Sequence, residues 1–227
     1  MVPDPSLPLE LGFMALVLVV ALVVVLLVRR AGGPAGQVAI GFAVYLTAYF
    51  VLGVSGLIAD AAPPKPLLVL GPALAGSLWF ALRSRAGEAL VAHAPMAALV
   101  GLHAFRVPLE LMMHAWAQEG ALPRQMTFAG LNWDILTGVG ALVLLPFAAR
   151  SRIGVLLWNI VGLALLINIV TIAITSIPGP LALFTSDPPN LLVMRAPYIW
   201  LPTFLVQVAL AGHIVVFRAL RRRRDLP

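Results

Sequence analysis

The chain has 227 residues, of which 61% are hydrophobic and 11% are charged, and its mean hydropathy is +1.01. A soluble domain keeps about a quarter of its residues charged, so this composition excludes a water-soluble globule. The chain has no cysteine, which excludes disulfides, thiolate metal sites and thiol nucleophiles.

The first apolar segment is an uninterrupted run from 11 to 28 that ends at Arg29 and Arg30. Its length and basic end are typical of a helix that crosses a bilayer. A secretory signal would carry positive charges before the run, whereas Asp4 and Glu10 precede it here. The sequence therefore predicts an uncleaved first span.

Six more apolar segments follow, separated by breaks rich in proline, glycine or arginine. About 20 apolar residues are needed to cross ~30 Å of hydrocarbon, so the pattern predicts an all-α transmembrane bundle of seven helices in a single domain, 1–227. The predicted spans are about 9–28, 37–59, 67–82, 89–116, 128–149, 153–177 and 197–219.

The longest connection, 178–196, contains four prolines around the apolar patches 181–184 and 191–194. Apolar patches in an external loop indicate a segment that lies on the membrane surface or folds over the mouth of the bundle. Both placements are open at the level of the sequence.

Basic residues predict the orientation of the bundle. Eleven of the fifteen lysines and arginines follow spans one, three, five and seven. Because basic residues beside spans stay in the cytoplasm, the N-terminus is predicted outside and the C-terminus in the cytoplasm, in a bacterial inner membrane. This topology accounts for most of the net charge of +6 without nucleic acid. The eleven residues are Arg29, Arg30, Arg83, Arg85, Arg150, Arg152, Arg218, Arg221, Arg222, Arg223 and Arg224.

The C-terminal run Arg221, Arg222, Arg223 and Arg224 has two interpretations. It is either a site for anionic lipid headgroups, at about 1 kcal/mol per charge, or a generic anchor at the membrane surface.

Polar residues within the predicted spans are the main functional signal, because charges in hydrocarbon are costly and usually face the bundle interior. Four of the polar residues in span four fall within an arc of about 80°, and residues of spans two, five and six have similar depths. We predict one outward-facing pocket that binds a small polar solute or ion for transport or sensing. Its predicted ligand-binding residues are Arg106, Glu110, Asp134, Asn132, Asn168 and His114, with Tyr45, Tyr49, Thr171 and His103 at plausible depths.

The same charges have a structural interpretation. Arg106 and Glu110 are four residues apart and can pair directly, and Asp134 offers a second carboxylate. Such a network can serve only to fix helix packing and register, as expected for a structural or accessory membrane subunit.

A third interpretation is an intramembrane enzyme that depends on a metal or on haem. The candidate metal ligands are His103, His114 and His213, and His213 is predicted to face His93 across the bundle. No histidine spacing identifies a haem or zinc site, and Arg106 competes with a cation for the carboxylates. No cofactor is assigned.

Two segments carry a resemblance to a known group. Residues 105–110 read FRVPLE and residues 126–134 read MTFAGLNWD. These segments resemble the FRxxxE and MTFxGxNxD marks of a group of uncharacterised bacterial seven-helix membrane proteins, with Trp133 where phenylalanine is expected. The resemblance covers about 103–217. It implies that the polar residues are a feature of the group, and it implies no catalytic residue.

Overall fold

The computed structural model describes residues 2–185 and 188–223, and every regular element within these ranges is helical. The predicted all-α class is confirmed. The α-helices are α1 (Leu7–Arg30), α2 (Ala35–Val54), α3 (Lys65–Arg83), α4 (Arg85–His93), α5 (Met96–Gly101), α6 (Arg106–Gln118), α7 (Ile135–Leu144), α8 (Arg152–Thr175) and α9 (Val206–Arg222).

Six helical stretches are long and apolar enough to cross a membrane. They are α1, α2, α3, α8, the continuous stretch Met96–Gln118 and the stretch Leu201–Arg222. The apolar helix Ile135–Phe147 is shorter than these six. Large apolar side chains such as Leu22 and Val161 are more than half exposed on the outside of the bundle. An exterior of this kind matches an environment of lipid rather than water.

The predicted fourth span, 89–116, is not one helix. Ala94 adopts an extended conformation with φ −69° and ψ 135°, and it separates α4 from α5. The break follows from Pro95, whose ring disfavours helical geometry in the preceding residue. A 3₁₀ segment, Leu102–Phe105, then joins α5 to α6. Pro108 lies just after this segment, and because it has no N–H it leaves the Ala104 carbonyl without its helical donor.

Within the predicted fifth span, 128–149, the helix α7 starts only at Ile135. The preceding segment is held by local hydrogen bonds, such as those from the Gly130 and Asn132 amides to the Thr127 carbonyl. A Cβ at Gly130 would overlap the Arg124 carbonyl, so this compact loop requires glycine. The loop lies beside α6 and carries Asn132 and Asp134 inward.

The apolar core has two parts, and the polar residues lie between them. One part contains Phe13, Trp116 and Tyr198, and the other contains Val24, Leu90 and Val216. Along the stretch that carries Arg106, Val100 belongs to the second part and Leu109 to the first.

One end of the bundle, which we call the basic face, is held together by arginines. Arg218 and Arg222 both donate to Glu88, and their hydrogen bonds hold the pKa of Glu88 below its usual value. Arg223 donates to the Leu90 and Val91 carbonyls. Two residues of the predicted lipid-binding run, Arg222 and Arg223, are therefore engaged within the chain, Arg221 is exposed, and Arg224 lies outside the described residues.

The opposite face is closed by the N-terminal segment and the connection before α9. Arg195 pairs with Asp4 at 3.0 Å, and the Ser6 amide donates to Glu119. Within the predicted loop 178–196, of which 186 and 187 lie outside the described residues, Leu192–Met194 is buried in the core. This part folds over the end of the bundle, whereas Leu181 and Leu183 are exposed.

Candidate functional site

The central polar cluster consists of five side chains between the two parts of the core, each at most 4% exposed. Its residues are Arg106, Glu110, Asn132, Asp134 and Thr137. Four of the five come from the start of α6 and from the loop before α7, so the predicted convergence of span four with span five is observed. The cluster is enclosed rather than open to the outside.

Arg106 pairs with Asp134. The Arg106 Nη1 lies 2.6 Å from Asp134 Oδ1, which also accepts from the Thr137 hydroxyl at 3.1 Å. A second, longer contact of 3.5 Å joins Nη1 to the Gly162 carbonyl of α8. Of the two carboxylates that the sequence offered as partners, Asp134 is the one that forms the ion pair.

Glu110 is instead bonded to Asn132. The side-chain amide nitrogen of Asn132 donates to Glu110 Oε2 at 2.7 Å and to the Met126 carbonyl at 3.0 Å. The Asn132 side-chain oxygen accepts from the Asp134 amide. Asn132 therefore bonds the Glu110 carboxylate directly and holds the backbone of Asp134 beside it.

Two glycines let the helices around the cluster approach closely. A Cβ at Gly138 would lie 2.9 Å from the Val107 nitrogen, and one at Gly162 would lie 2.6 Å from the Thr137 side chain. Small residues at such positions are the usual means by which helices pack in a bilayer. Gly138 brings α7 against the start of α6, and Gly162 brings α8 against α7.

A pair of buried histidines lies next to the cluster. The rings of His103 and His213 are 4.2 Å apart between centroids, and both side chains are fully buried. His213 Nδ1 is 2.8 Å from the side-chain oxygen of Asn159. The prediction that His213 faces His93 is wrong, because His93 lies at the basic face beside Arg30. The sequence placed His213 at the level of His93, whereas it lies beside His103, which is ten residues further along the chain than His93.

Several buried nitrogens in this region have no hydrogen-bond partner within the part of the chain that the structure describes. They are Arg106 Nη2, both ring nitrogens of His103, and His213 Nε2. The three residues are close together, since Arg106 contacts the Gly162 carbonyl and the His213 ring packs on the same glycine. Most buried polar groups are bonded to protein or water, so a cluster of unbonded ones marks a place where a polar ligand would be stabilised.

Three other predicted site residues lie elsewhere. Asn168 is exposed on α8 and donates to the Leu131 carbonyl, so it is not part of the cluster. His114 stacks on Phe128 and contacts Gln118 one turn later, near the end of α6. Thr171 is exposed and bonds the carbonyl of Ile167 within its own helix. Similar predicted depth was therefore not sufficient to bring these three side chains into the cluster.

Tyr45 and Tyr49 also lie outside the cluster. Tyr45 donates to the Thr203 carbonyl at 2.7 Å, and Tyr49 donates to the Val69 carbonyl at 3.0 Å. They attach α2 to its neighbours, away from Arg106.

Sequence reasoning missed Thr137, Asn159 and Gly162. Thr137 follows Asp134 by three residues, which is the one sequence signal that would have linked it to the carboxylate. Asn159 and Gly162 lie three residues apart on α8, and nothing in the sequence ties them to a histidine.

The candidate metal ligands do not form one set. Among the described residues, no group of three or more histidine, aspartate or glutamate side chains is arranged to hold a metal ion. His103 and His213 are in direct contact, so a porphyrin cannot lie between their rings. The donor set therefore does not fit a haem held by this pair.

Comparison with known families adds one finding. Residues 63–221 match a family described as a domain of unknown function, DUF8737. The chain belongs to this family. The match covers α3 to α9 and includes the whole central polar cluster and both buried histidines, whereas α1 and α2 precede it. No curated protein and no solved structure matches the chain at a significant level.

Proposed function

We propose that this chain is an integral protein of a bacterial cytoplasmic membrane that binds a small polar solute or ion in an enclosed site around Arg106. Binding would serve transport or sensing. The observation that carries the proposal is the group of unbonded, fully buried nitrogens of Arg106, His103 and His213 beside two carboxylates. A charged residue at this depth is costly and is retained mainly where a partner or a ligand requires it.

We further infer seven spans. The helix Ile135–Phe147 is about 20 Å long at ~1.5 Å per residue, which is less than ~30 Å of hydrocarbon. The loop before it lies beside α6 and would make up the remaining depth. Non-helical backbone is tolerated inside a membrane where it is buried in protein, and Asn132 and Asp134 are buried.

The orientation proposed here has the N-terminus outside, because the basic face would lie in the cytoplasm. The chain has no cysteine, so single cysteines test it directly. A membrane-impermeant maleimide should label Gln118→Cys in intact cells and Arg150→Cys only after lysis, since both positions are exposed at opposite faces. The reverse pattern would invert the topology.

Solute binding is tested by thermal unfolding of the purified protein in detergent against a panel of small carboxylates, amino acids, sugars and inorganic ions. A ligand that binds the folded state at one hundred times its dissociation constant adds about 2.7 kcal/mol of stability. We expect at least one class of these solutes to raise the melting temperature of the parent protein and of the Glu88→Gln variant, but not that of the Glu110→Gln variant. Glu110→Gln keeps the size of the side chain and removes its charge.

The second candidate function of the cluster is a purely structural one, and the direct ion pair between Arg106 and Asp134 favours it. Solute binding requires that water reaches the cluster, whereas a structural role requires that the cluster is dry. Thr137→Cys should react with a small water-soluble thiol reagent if solutes enter, while Ala141→Cys, one turn further along α7 and fully buried, should not. No reaction at Thr137→Cys, together with no stabilising solute, would support the structural role and contradict binding.

A further inference from the structure

A second feature of the molecule is a cleft between α2, α3 and α9 that encloses about 620 Å³. This volume is within the range of about 300–1,000 Å³ that is usual for ligand sites. Tyr45 and Tyr49 attach α2 to the Thr203 and Val69 carbonyls at the far end of the cleft. Nearer the basic face α3 and α9 stay packed together, with Arg218 bonded to the Ala81 carbonyl, and the cleft lies between this pair and α2.

The walls of the cleft are mainly apolar. Along the stretch Leu201–Arg222 the lining residues recur every three or four positions from Thr203 to Val215, over about 18 Å. The polar side chains on the wall bond one another, since Ser77 donates to Gln207 at 2.8 Å and Gln207 donates to the Pro202 carbonyl. An occupant therefore needs no polar group along the walls.

The mouth of the cleft at the basic face is positively charged. Arg83 and Arg85 line it, both are exposed, and neither has an acidic partner among the described residues. The nearest acidic residue in sequence, Glu88, is already bonded to Arg218 and Arg222. Free guanidinium groups at this position complement a phosphate.

The length of the cleft and the charge at its mouth favour an acyl chain of an anionic lipid as its occupant. The length of ~18 Å exceeds half of a ~30 Å hydrocarbon layer, so the cleft matches one leaflet.

We propose that this cleft holds one acyl chain of an anionic phospholipid whose phosphate is bound by Arg83 and Arg85. The proposal rests on the membrane placement given above and is independent of the solute site around Arg106. The lipid would come from the leaflet at the basic face.

Two pairs of variants test the two halves of the site. Gly76 lines the cleft and has open space around its Cβ position, so Gly76→Phe fills the cleft. Gly71→Phe is the matched control, because Gly71 is on the same helix, also has open space, and does not line the cleft. Arg83→Gln with Arg85→Gln removes the charges at the mouth. Arg29→Gln with Arg30→Gln removes two exposed arginines of the same face that lie outside the cleft.

The measurement is native mass spectrometry of each detergent-purified, full-length protein after incubation with phosphatidylglycerol or phosphatidylcholine. We expect the parent, Gly71→Phe and the Arg29/Arg30 variant to retain one phosphatidylglycerol in preference to phosphatidylcholine. Gly76→Phe should lose it. The Arg83/Arg85 variant should bind it about 25-fold more weakly, since each basic residue near an anionic surface contributes about a factor of five.

Three results would overturn the proposal. One is equal retention of the two lipids by the parent, which contradicts phosphate recognition. Another is undiminished retention by Gly76→Phe or by the Arg83/Arg85 variant. The third is equal loss in either control variant. Circular dichroism and size-exclusion elution matching the parent confirm that each variant is folded before its lipid content is compared.

Discussion

Asp134→Ala is expected to destabilise the protein by about 3–5 kcal/mol, the usual effect of removing one partner of a buried ion pair. Arg106 is 1% exposed, and its bond to Asp134 is the only ion pair it makes among the described residues. Glu110 does not replace Asp134, because it is bonded to Asn132. The substitution therefore leaves a guanidinium without a counter-charge next to it.

The opposite substitution should cost less. A carboxyl group that loses its arginine can become neutral by binding a proton, whereas a guanidinium stays charged at every accessible pH. We therefore expect Arg106→Ala to be less destabilising than Asp134→Ala, and the combination of Glu110→Ala with Asp134→Ala to be the most destabilising of the three. The order follows from which group is able to lose its charge.

Thermal unfolding in detergent measures this order. For a chain of this length a loss of 3–5 kcal/mol corresponds to roughly 6–20 °C in melting temperature. Asp60→Ala is the control, because Asp60 pairs with Lys65 at the exposed surface, and it should leave the melting temperature nearly unchanged. A double variant of Glu110 and Asp134 as stable as the parent would show that these carboxylates do not compensate Arg106.

Trp116→Ala is expected to cost a similar amount, about 3–5 kcal/mol, through the cavity left behind. Trp116 is fully buried and packs edge-on against Phe13 of α1 and Tyr198, with ring centroids 5.2 Å away in both contacts. Phe13 and Tyr198 also stack on each other. The three rings join α1, α6 and the segment before α9 at the opposite face, so removing the largest one loosens all three.

Trp79→Ala is the matched control, since Trp79 is 62% exposed on the outside of α3. We expect Trp79→Ala to lower the free energy of unfolding much less than Trp116→Ala does. Trp116→Phe should also be mild, because the indole nitrogen of Trp116 has no hydrogen-bond partner to lose. Equal melting temperatures for Trp116→Ala and Trp79→Ala would contradict a packing role for the three rings.

The sequence alone determined the all-α class of the protein and most of its long apolar helices. Long apolar runs cannot be placed in water, and their backbone groups are satisfied most simply as helices, so composition and length suffice. The breaks at Arg29–Arg30, at Arg83–Arg85 and at Arg150–Arg152 were read correctly, because charged and turn-forming residues interrupt apolar helices. The seven-span count, the orientation and the resemblance to the group marked by FRxxxE stay predictions.

The sequence also brought Arg106, Glu110, Asn132 and Asp134 together. Residues that are costly to bury individually lower their cost by meeting, and similar depth on two neighbouring segments was enough to predict the meeting. Helical spacing did not predict the other side-chain contacts in the bundle. It did not show that Asn168 bonds the Leu131 carbonyl outside the cluster or that His213 meets His103, because it left open which neighbour each helix face would meet.

Only the tertiary structure decided those pairings. Arg106 bonds Asp134 rather than Glu110 because Asn132 occupies Glu110, and His213 meets His103 because glycines at 162 and 212 let the helices approach. The cleft lined by Arg83 and Gly76 arises because α2 is attached to α3 and α9 by its tyrosines at one end alone. The rotation and spacing of helices result from packing between side chains distant in sequence, and the periodicity of a single helix carries no information about them.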